Sequence, residues 1–308
     1  MTALEQALED YLRLRRRLGY ELERDEPQLA KFITFLQQAG AERITTELAL
    51  RWARMPANQH PIVWRRRLSK VRQFAGYLAT LDPDSEIPSR DLLPAHQPRT
   101  APYIYTPQEI SQLMAAARSL RPPLTAATFQ TVIGLMASTG LRLREALALD
   151  RQDVDLADGV LDIRASKNHR QREVPLHPST TAALMRYERV RHEHCPTPGA
   201  SEFFISSRAT TVVKTTFWQT FRGLIQQAGL EGHGHRVRPR PHDLRHTFVV
   251  RTLIGWYRCG EQIDCRMPAL STYLGHVSPE STYWYMKSVP ELQRLVSERL
   301  ERTGEGLS

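Results

Sequence analysis

Apolar residues recur every three or four positions through most of the first ninety residues, which is the period of an α-helix packed on one side. The helices that this spacing predicts cover residues 3–18, 26–39, 46–54 and most of 60–81. The same period returns after residue 106. The helices predicted there cover residues 107–119, 124–138, 178–194 and 215–228, and continue from 243 to the end. Helices therefore account for most of the chain.

The period changes between residues 153 and 176, where polar and apolar residues alternate in DVDLADGVLDIRASKNHRQREVPL. Alternation is typical of a strand with one buried face. Asp158-Gly159 predicts one tight turn, and SKNHRQ predicts a second. We therefore predict two or three short antiparallel strands, and a fold class that is mainly α with a small antiparallel β-sheet.

A proline-rich stretch separates two helical regions. Residues 82–105 lack helical periodicity and contain several polar residues, as linkers do. A new helix begins at TPQE, where Thr106 is a helix cap, Pro107 the first helical residue and Glu109 the partner of the cap. The predicted organisation is a helical domain at 1–90, a linker at 91–105 and a larger domain at 106–308.

The net charge of +9 and the pI of about 9.7 favour a polyanionic partner. Between residues 64 and 81 there are five basic residues and no acidic one. Solvated helix faces usually mix the two signs, so a face laid against DNA phosphates is at least as good an interpretation as a solvated face. The candidate DNA-binding residues are Arg65, Arg66, Arg67, Lys70 and Arg72.

The three cysteines are too few for a disulfide framework and fit a reducing compartment. Cys259 and Cys265, with His233 and His235, match no common zinc-ligand spacing, so we expect no metal site. The sequence contains no apolar run long enough to span a membrane and no apolar signal segment near residue 1. These observations predict a cytoplasmic protein that does not act at a membrane.

Four short motifs in the larger domain occur in a specific order and spacing. They are TGLRLREALAL at 139–149, IRASKNHRQREVPL at 163–176, PHDLRHTF at 241–248 and LGHVSPESTYWY at 274–285. In combination they resemble the tyrosine recombinases of the phage integrase type, and the resemblance covers nearly the whole chain. It implies that residues 1–90 form a DNA-contacting core-binding domain and that residues 106–308 form the catalytic domain.

The resemblance also implies a catalytic set, with Tyr285 as the nucleophile. The residues that match the motifs are Arg142, Lys167, His242, Arg245, His276 and Tyr285. Tyr283 also lies close to His276, but residues two apart on a helix point about 200° away from each other, so only one tyrosine can face the site. The spacing from His276 selects Tyr285.

The chemistry of these residue types fits phosphodiester cleavage. Two arginines can neutralise the charge that develops on the non-bridging phosphate oxygens, without a metal ion. Lys167, on the predicted hairpin turn, could protonate the leaving 5′ oxygen. Tyrosine has a pKa near 10 and needs a base or nearby cations before it attacks. The resemblance implies a 3′-phosphotyrosyl intermediate, which stores the bond energy, so no cofactor or ATP is expected.

Three features depart from the family pattern. Arg144 occupies a position where a small residue is usual, and Met286-Lys287 replaces a polar residue that often follows the tyrosine. The segment between Arg245 and His276 is longer than expected and could contact DNA or another subunit. None of these departures removes a catalytic group.

The resemblance predicts a site-specific recombinase that binds a double-stranded DNA recombination site, as a homo-tetramer or hetero-tetramer. Accessory DNA-binding proteins and association with the nucleoid fit the same interpretation. Two alternatives stay open. One is a topoisomerase IB-like enzyme that relaxes DNA with the same tyrosine. The other is a DNA-binding accessory protein or regulator that has kept the fold and lost catalysis.

Overall fold

The computed structural model divides the chain into two units, Met1–Arg99 and Thr100–Ser308. The residues that the structure describes are 2–94, 101–164, 171–197, 199–230, 238–275 and 280–305. No helix within these ranges is long and apolar enough to cross a membrane.

The first unit contains four helices. They are α1 (Ala3–Arg17), α2 (Glu26–Gln38), α3 (Thr46–Arg54) and α4 (Pro61–Leu78). Helix α1 begins where it does because Thr2 and Glu5 form a reciprocal cap, in which the Thr2 N–H donates to Glu5 Oε2 at 2.7 Å. All four helices match the predicted ones to within a few residues.

Helix α4 packs its predicted apolar face into the core of this unit. Leu68, Val71, Ala75 and Leu78 are buried there, together with Phe32 of α2. Leu81, which continues the spacing of Leu78 by three residues, lies beyond the end of the helix and is 61% exposed. The apolar spacing in the sequence therefore extends about one turn beyond the observed end of the helix.

The second unit combines nine described α-helices and a short 3-10 helix at Arg151–Asp153 with three strands. The helices are α5 (Pro107–Arg118), α6 (Pro123–Thr139), α7 (Leu143–Leu147), α8 (Pro178–His194), α9 (Lys214–Gln227), α10 (Pro241–Arg258), α11 (Ile263–Leu274), α12 (Glu280–Ser288) and α13 (Pro290–Glu305). The strands are β1 (Val154–Asp155), β2 (Val160–Ile163) and β3 (Arg172–Pro175). The predicted fold class, mainly α with a small antiparallel sheet, is confirmed.

The sheet has the order β1-β2-β3, and both strand pairs are antiparallel. Leu161 pairs with Val174, and both side chains are buried, so the inner face of the hairpin packs into the core. Gly159 has a φ of +67° in the turn between β1 and β2, which explains the Asp-Gly sequence there. The second predicted turn, at 165–170, lies outside the described residues.

Helix α6 is the central element of the second unit and packs against α5, α8 and α10. It ends at Gly140, whose left-handed φ of +67° turns the chain into α7. Helix α7 was not predicted, because five residues are too few to show a helical period. The helical region predicted from 243 onward consists of four helices, α10 to α13.

The long segment between Arg245 and residue 276 forms the rest of α10, a turn at Cys259–Gln262 and helix α11. Helices α10 to α13 share a small core that includes Val250, Leu253 and Leu292. This core surrounds the side chain of Tyr285.

Candidate active site

Two helix termini bring the first two predicted arginines together. Arg142 caps the start of α7, where its N–H donates to Glu145 Oε2 at 2.9 Å. Arg245 lies in the second turn of α10, and its side chain is almost fully buried. The Nη1 of Arg245 donates to the carbonyl oxygen of Gly140 at 2.7 Å, just before Arg142. The left-handed turn at Gly140 thus links the two arginines.

The carboxyl end of α11 holds three arginines on three consecutive carbonyl groups. Arg172 Nε donates to Tyr273 O at 2.7 Å, and Arg245 Nη2 donates to Leu274 O at 2.7 Å. Arg142 Nη2 donates to the next carbonyl oxygen, Gly275 O, at 3.1 Å. Unpaired carbonyls at a helix end carry partial negative charge and attract cations. The end of α11 is therefore the anchor that sets the positions of both candidate catalytic arginines.

Glu145 is the carboxylate between these arginines and is 2% exposed. Its Oε1 accepts from Arg142 Nη1 at 2.7 Å, its Oε2 accepts from Arg172 Nη2 at 2.9 Å, and Arg245 Nη1 lies 4.0 Å from Oε2. Burial alone would raise the pKa of Glu145, but hydrogen bonds and charge from Arg172, and then from Arg142, hold it below its ordinary value. Glu145 is thus an ionised orienting group and not a base.

The cluster is strongly positive on its open side. Burial first, and then the charge of Arg142, lowers the pKa of Arg245 to about 9, so Arg245 is still a cation at neutral pH. The Arg142 side chain is 30% exposed, which leaves part of its guanidinium accessible to an incoming phosphate. The arrangement can receive an anion between a fixed buried cation and a partly exposed one.

His242 lies one turn before Arg245 on α10 and keeps a solvent-exposed side. Desolvation of the ring, together with the positive charges of Arg245, Arg142 and Arg240, lowers the pKa of His242 to about 4. His242 is therefore neutral near pH 7 and can act as a hydrogen-bond donor in the absence of DNA.

The two tyrosines of α12 face in opposite directions, as predicted. Tyr285 is 3% exposed, whereas Tyr283 is 40% exposed. The Tyr285 hydroxyl lies 2.6 Å from Nδ1 of His246, which directly follows Arg245 on α10. The His246 ring also contacts the His242 ring edge-on, with centroids 4.6 Å apart. A continuous line of side chains thus runs from Tyr285 through His246 to His242.

Comparison with known proteins assigns this arrangement to a family. The sequence profile of the phage integrase family matches residues 104–291, which is more than half of the chain. The chain belongs to the phage integrase family. A putative integrase/recombinase of Sinorhizobium fredii, y4rB, is 40% identical to it and is covered over 99% of both proteins. The tyrosine recombinase XerD of Xanthomonas axonopodis pv. citri is 29% identical, over 80% of this chain and 78% of that protein. The chain is accordingly a tyrosine recombinase, an enzyme that breaks and rejoins DNA strands.

Solved structures give the same fold. A complex of the Tn1549 transposon integrase with a circular intermediate DNA has a TM-score of 0.68 at 16% identity, over 97% of this chain and 100% of that one. The lambda integrase tetramer bound to a Holliday junction has a TM-score of 0.62 at 16% identity, over 92% and 76%. At such low identity the likeness establishes the fold, which is the two-domain architecture of tyrosine recombinases.

The structure places four of the six predicted site residues of this tyrosine recombinase in one neighbourhood. They are Arg142, His242, Arg245 and Tyr285. Lys167 and His276 lie outside the described residues, and their roles stay predictions. Within the described ranges no group of three or more His, Cys, Asp or Glu side chains could hold a metal ion.

The sequence pattern missed two residues of the site. His246 could have been found, because it lies four residues after His242 and therefore shares its helix face. No motif in the neighbouring sequence identifies Arg172 as a residue of the site. It precedes the Val-Pro of the hairpin, but its partners Glu145 and Tyr273 are 27 and 101 residues away.

In the first unit, three of the five candidate DNA-binding residues have partners within the unit, among them Arg72, whose Nη2 donates to Ser69 Oγ at 3.1 Å. Lys70 Nζ lies 2.6 Å from a carboxylate oxygen of Asp25. Arg67 donates to Trp52 O at 2.9 Å and stacks over the Trp52 ring at 3.7 Å, where burial lowers its pKa. Arg66 is exposed, and Arg65 and Arg72 are partly exposed. All five stay proposals as DNA contacts, and Arg66 is the most accessible.

Proposed function

We propose that this chain is a site-specific DNA recombinase that cleaves each strand through a 3′-phosphotyrosyl intermediate on Tyr285. One observation carries the proposal. Arg142 and Arg245 are both fixed on Leu274 O, at 3.5 and 2.7 Å, and Tyr285 is hydrogen-bonded to the residue after Arg245. A nucleophile and two phosphate-binding cations are therefore organised by the same few backbone positions.

The two arginines stabilise the charge that develops during attack. When the Tyr285 oxygen adds to the phosphorus atom, the non-bridging oxygens gain negative charge. A guanidinium can bind two such oxygens at once, and a preformed pair of guanidinium groups needs no reorganisation during the reaction. Arg245 is held rigidly by two carbonyl groups, and Arg142 offers its exposed edge.

The remaining groups handle protons. The Oη–P bond forms while the P–O5′ bond breaks, and the leaving 5′ oxygen takes a proton from Lys167. His242 and His276 donate hydrogen bonds to the phosphate. A 5′ hydroxyl of the partner strand then attacks the phosphotyrosine and releases the tyrosine. The phosphodiester energy is conserved in the covalent link, so the reaction uses no metal, cofactor or ATP.

Double-stranded DNA is the proposed partner, and a tetramer on two duplexes is the proposed assembly. Support comes from the basic composition of the chain and from the solved relatives, which are an integrase on a circular intermediate DNA and an integrase tetramer on a Holliday junction. The first unit then acts as the core-binding domain, with Arg65 and Arg66 of α4 among its phosphate contacts.

A covalent capture experiment tests the proposal and locates the recombination site. The protein is incubated with sheared genomic DNA of the organism that encodes it, in the presence of EDTA. DNA that stays attached to the protein in denaturing detergent is then recovered and sequenced. We expect the recovered fragments to share one sequence, because the 3′-phosphotyrosyl link survives detergent.

Matched tyrosine variants provide the control. The attachment should disappear in Tyr285→Phe and persist in Tyr283→Phe, since Tyr285 is hydrogen-bonded to His246 and Tyr283 is 40% exposed. Binding of one sequence without covalent attachment would favour the non-catalytic DNA-binding protein. Relaxation of plasmids that lack the recovered sequence would favour a topoisomerase. Attachment that persists in Tyr285→Phe would overturn the assignment of the nucleophile.

A further inference from the structure

The hydrogen bond between Tyr285 and His246 joins the proposed nucleophile to a group that can accept its proton. His246 Nδ1 lies 2.6 Å from the Tyr285 hydroxyl, and the Tyr285 ring is buried among apolar side chains of α10, α11 and α12. A phenol with a pKa near 10 is a weak nucleophile at neutral pH. An imidazole nitrogen at hydrogen-bonding distance is the kind of group that can take its proton.

His246 lies on the same helix as the phosphate-binding Arg245. His246 follows Arg245, whose side chain is held by Gly140 O and Leu274 O. Trp284 and Tyr285 of α12 pack against the His246 ring, with centroids 6.1 and 5.4 Å away. The proton acceptor and the buried cation lie on α10, and the nucleophile lies on α12 in contact with the acceptor, so no large motion of a remote base is needed.

We propose that His246 is the general base that takes the proton of Tyr285, a role that rests on the proposed function of Tyr285 as the nucleophile. In this role His246 carries its own proton on Nε2 and accepts at Nδ1. As the Oη–P bond forms and the P–O5′ bond breaks, the Tyr285 proton moves to Nδ1. In the rejoining step a 5′ hydroxyl attacks the phosphorus atom, and Nδ1 returns the proton to the Tyr285 oxygen.

The proposal assigns different roles to the two histidines of α10. His242 is on the solvent-exposed side, with Arg245, Arg142 and Arg240 around it, and is suited to donate to the phosphate. His246 is deeper, between His242 and Tyr285, and is suited to the nucleophile. The 3′-phosphoryl transfer would then use separate groups for attack and for the leaving oxygen.

The test uses a nicked duplex that carries the sequence recovered by covalent capture, in two versions. One has the ordinary 5′ oxygen at the cleavage point. The other has a bridging sulfur there, which leaves as a thiolate and needs no proton donor, because thiols are far more acidic than alcohols. Covalent complex formation in a single turnover is measured from pH 5 to pH 9.5.

The decisive variant is His246→Asn, whose side-chain oxygen can replace Nδ1 as a hydrogen-bond acceptor but cannot take a proton. We expect its cleavage rate at pH 7 to fall about 10²-fold on both duplexes, which is the usual size of a general-base contribution. The deficit should shrink toward pH 9.5, where tyrosine begins to ionise unaided. Lys167→Ala is the contrasting variant, and the sulfur duplex should restore its rate.

Several results would overturn the proposal. A His246→Asn rate equal to that of the unsubstituted protein at every pH would make His246 a positioning residue. A faster rate would mean that the hydrogen bond restrains Tyr285. If the sulfur duplex restored the cleavage rate of His246→Asn, His246 would be the proton donor to the leaving oxygen and not the base. If the unsubstituted protein forms no covalent complex, the proposed function itself fails, which is a separate outcome.

The unsubstituted protein gives a second measurement that does not depend on how the variant folds. Its rate on the sulfur duplex should fall on acidification, because an imidazole that has taken up a proton can no longer accept one from Tyr285. Among the titratable and charged groups next to His246 are His242 and Arg245 on α10 and Tyr285 on α12, and the charges of Arg142 and Arg240 act on the adjacent His242. A rate that stays constant down to pH 5 would contradict the proposal.

Discussion

At the residue scale, Glu145 shows how a single buried carboxylate organises the site. It is the only described carboxylate within 4.0 Å of Arg142, Arg172 and Arg245 together. Buried charges are costly unless they are paired, and the loss of one partner leaves the others uncompensated. The stability of this region and the geometry of the phosphate-binding arginines therefore depend on the same side chain.

We expect Glu145→Gln to reduce the free energy of unfolding by about 3–5 kcal/mol at pH 7, because Arg172 and Arg245 lose their counter-charge. Urea unfolding of the full chain measures the effect. Glu188→Gln is the matched control, since Glu188 is 39% exposed and lies 3.5 Å from Arg151 on the surface. The control should change stability by less than about 1 kcal/mol. Equal effects in both variants would contradict the role of Glu145.

The stability difference between the unsubstituted protein and Glu145→Gln should also depend on pH. The folded pKa of Glu145 is lowered from its ordinary 4.5, so the charge of Glu145 stabilises the fold fully above that value. The stabilisation is lost as the pH falls below 4.5 and through the folded pKa. The difference in unfolding free energy between the unsubstituted protein and Glu145→Gln should therefore narrow in acid. A difference that stays constant from pH 7 to pH 3.5 would argue against an ionised Glu145.

At the element scale, the junction between α6 and α7 needs a glycine for two separate reasons. Gly140 has a φ of +67°, and a Cβ there would lie 2.5 Å from Cδ1 of Phe248. The strain of the left-handed backbone costs about 1–2 kcal/mol for other residues, and the overlap with a packed aromatic ring adds to it. The carbonyl oxygen of Gly140 also holds Arg245.

We expect Gly140→Ala to destabilise the protein by more than about 2 kcal/mol, because it adds backbone strain and an overlap with Phe248. It should also slow covalent complex formation, because the carbonyl oxygen of Gly140 holds Arg245. Gly229→Ala separates the two causes, because Gly229 has the same φ of +67° but nothing within 4 Å of its Cβ position. That control should lose only the backbone contribution and keep the cleavage rate. Thermal unfolding and the nicked-duplex assay provide the measurements.

Most helices and the small sheet could be predicted from the sequence, but the five-residue helix α7 could not. Helices α3 and α8 have the predicted bounds, because their apolar period is uninterrupted and Thr45 and Pro178 mark their starts. Helix α7 has too few residues to show a period and is stabilised instead by Arg142 and Glu145. Its existence depends on tertiary contacts that sequence spacing does not contain.

The same distinction holds within the site. Arg142, His242, Arg245 and Tyr285 could be named because each belongs to a short motif with fixed spacing. Arg172 could not be named, because its hydrogen bonds join β3 to α7 and to α11. Motifs identify the groups that touch the substrate, whereas the residues that hold those groups are found only once the chain is folded.

At the scale of the whole molecule, the basic charge is not all available to DNA. Lys70 is paired with Asp25, and Arg67 is stacked on Trp52, whereas Arg66 is exposed. Phosphate contacts release counterions, so each one steepens the dependence of DNA affinity on salt. The accessible arginines of α4 should therefore contribute more to this dependence than the paired lysine.

We expect Arg66→Ala to reduce the slope of log affinity against log salt by about 1, uniformly across DNA sequences. Lys70→Ala should change the slope less, because its charge is already compensated by Asp25 at 2.6 Å. Fluorescence anisotropy with labelled duplexes at a series of salt concentrations measures both. A larger slope change for Lys70→Ala than for Arg66→Ala would mean that Lys70 leaves Asp25 on binding DNA.

The end of α11 also limits how the length of this chain can vary. Each residue inserted into a helix rotates everything beyond it by about 100° and advances it by about 1.5 Å. One extra residue between Met267 and Tyr273 would rotate the last three carbonyl groups of this helix end. Those carbonyl oxygens would then no longer face the guanidinium groups of Arg172, Arg245 and Arg142. Extra residues in the turn at Cys259–Gln262 would leave that register unchanged. Among relatives that keep this arginine arrangement, insertions and deletions should therefore occur before α11 and be absent from its last two turns.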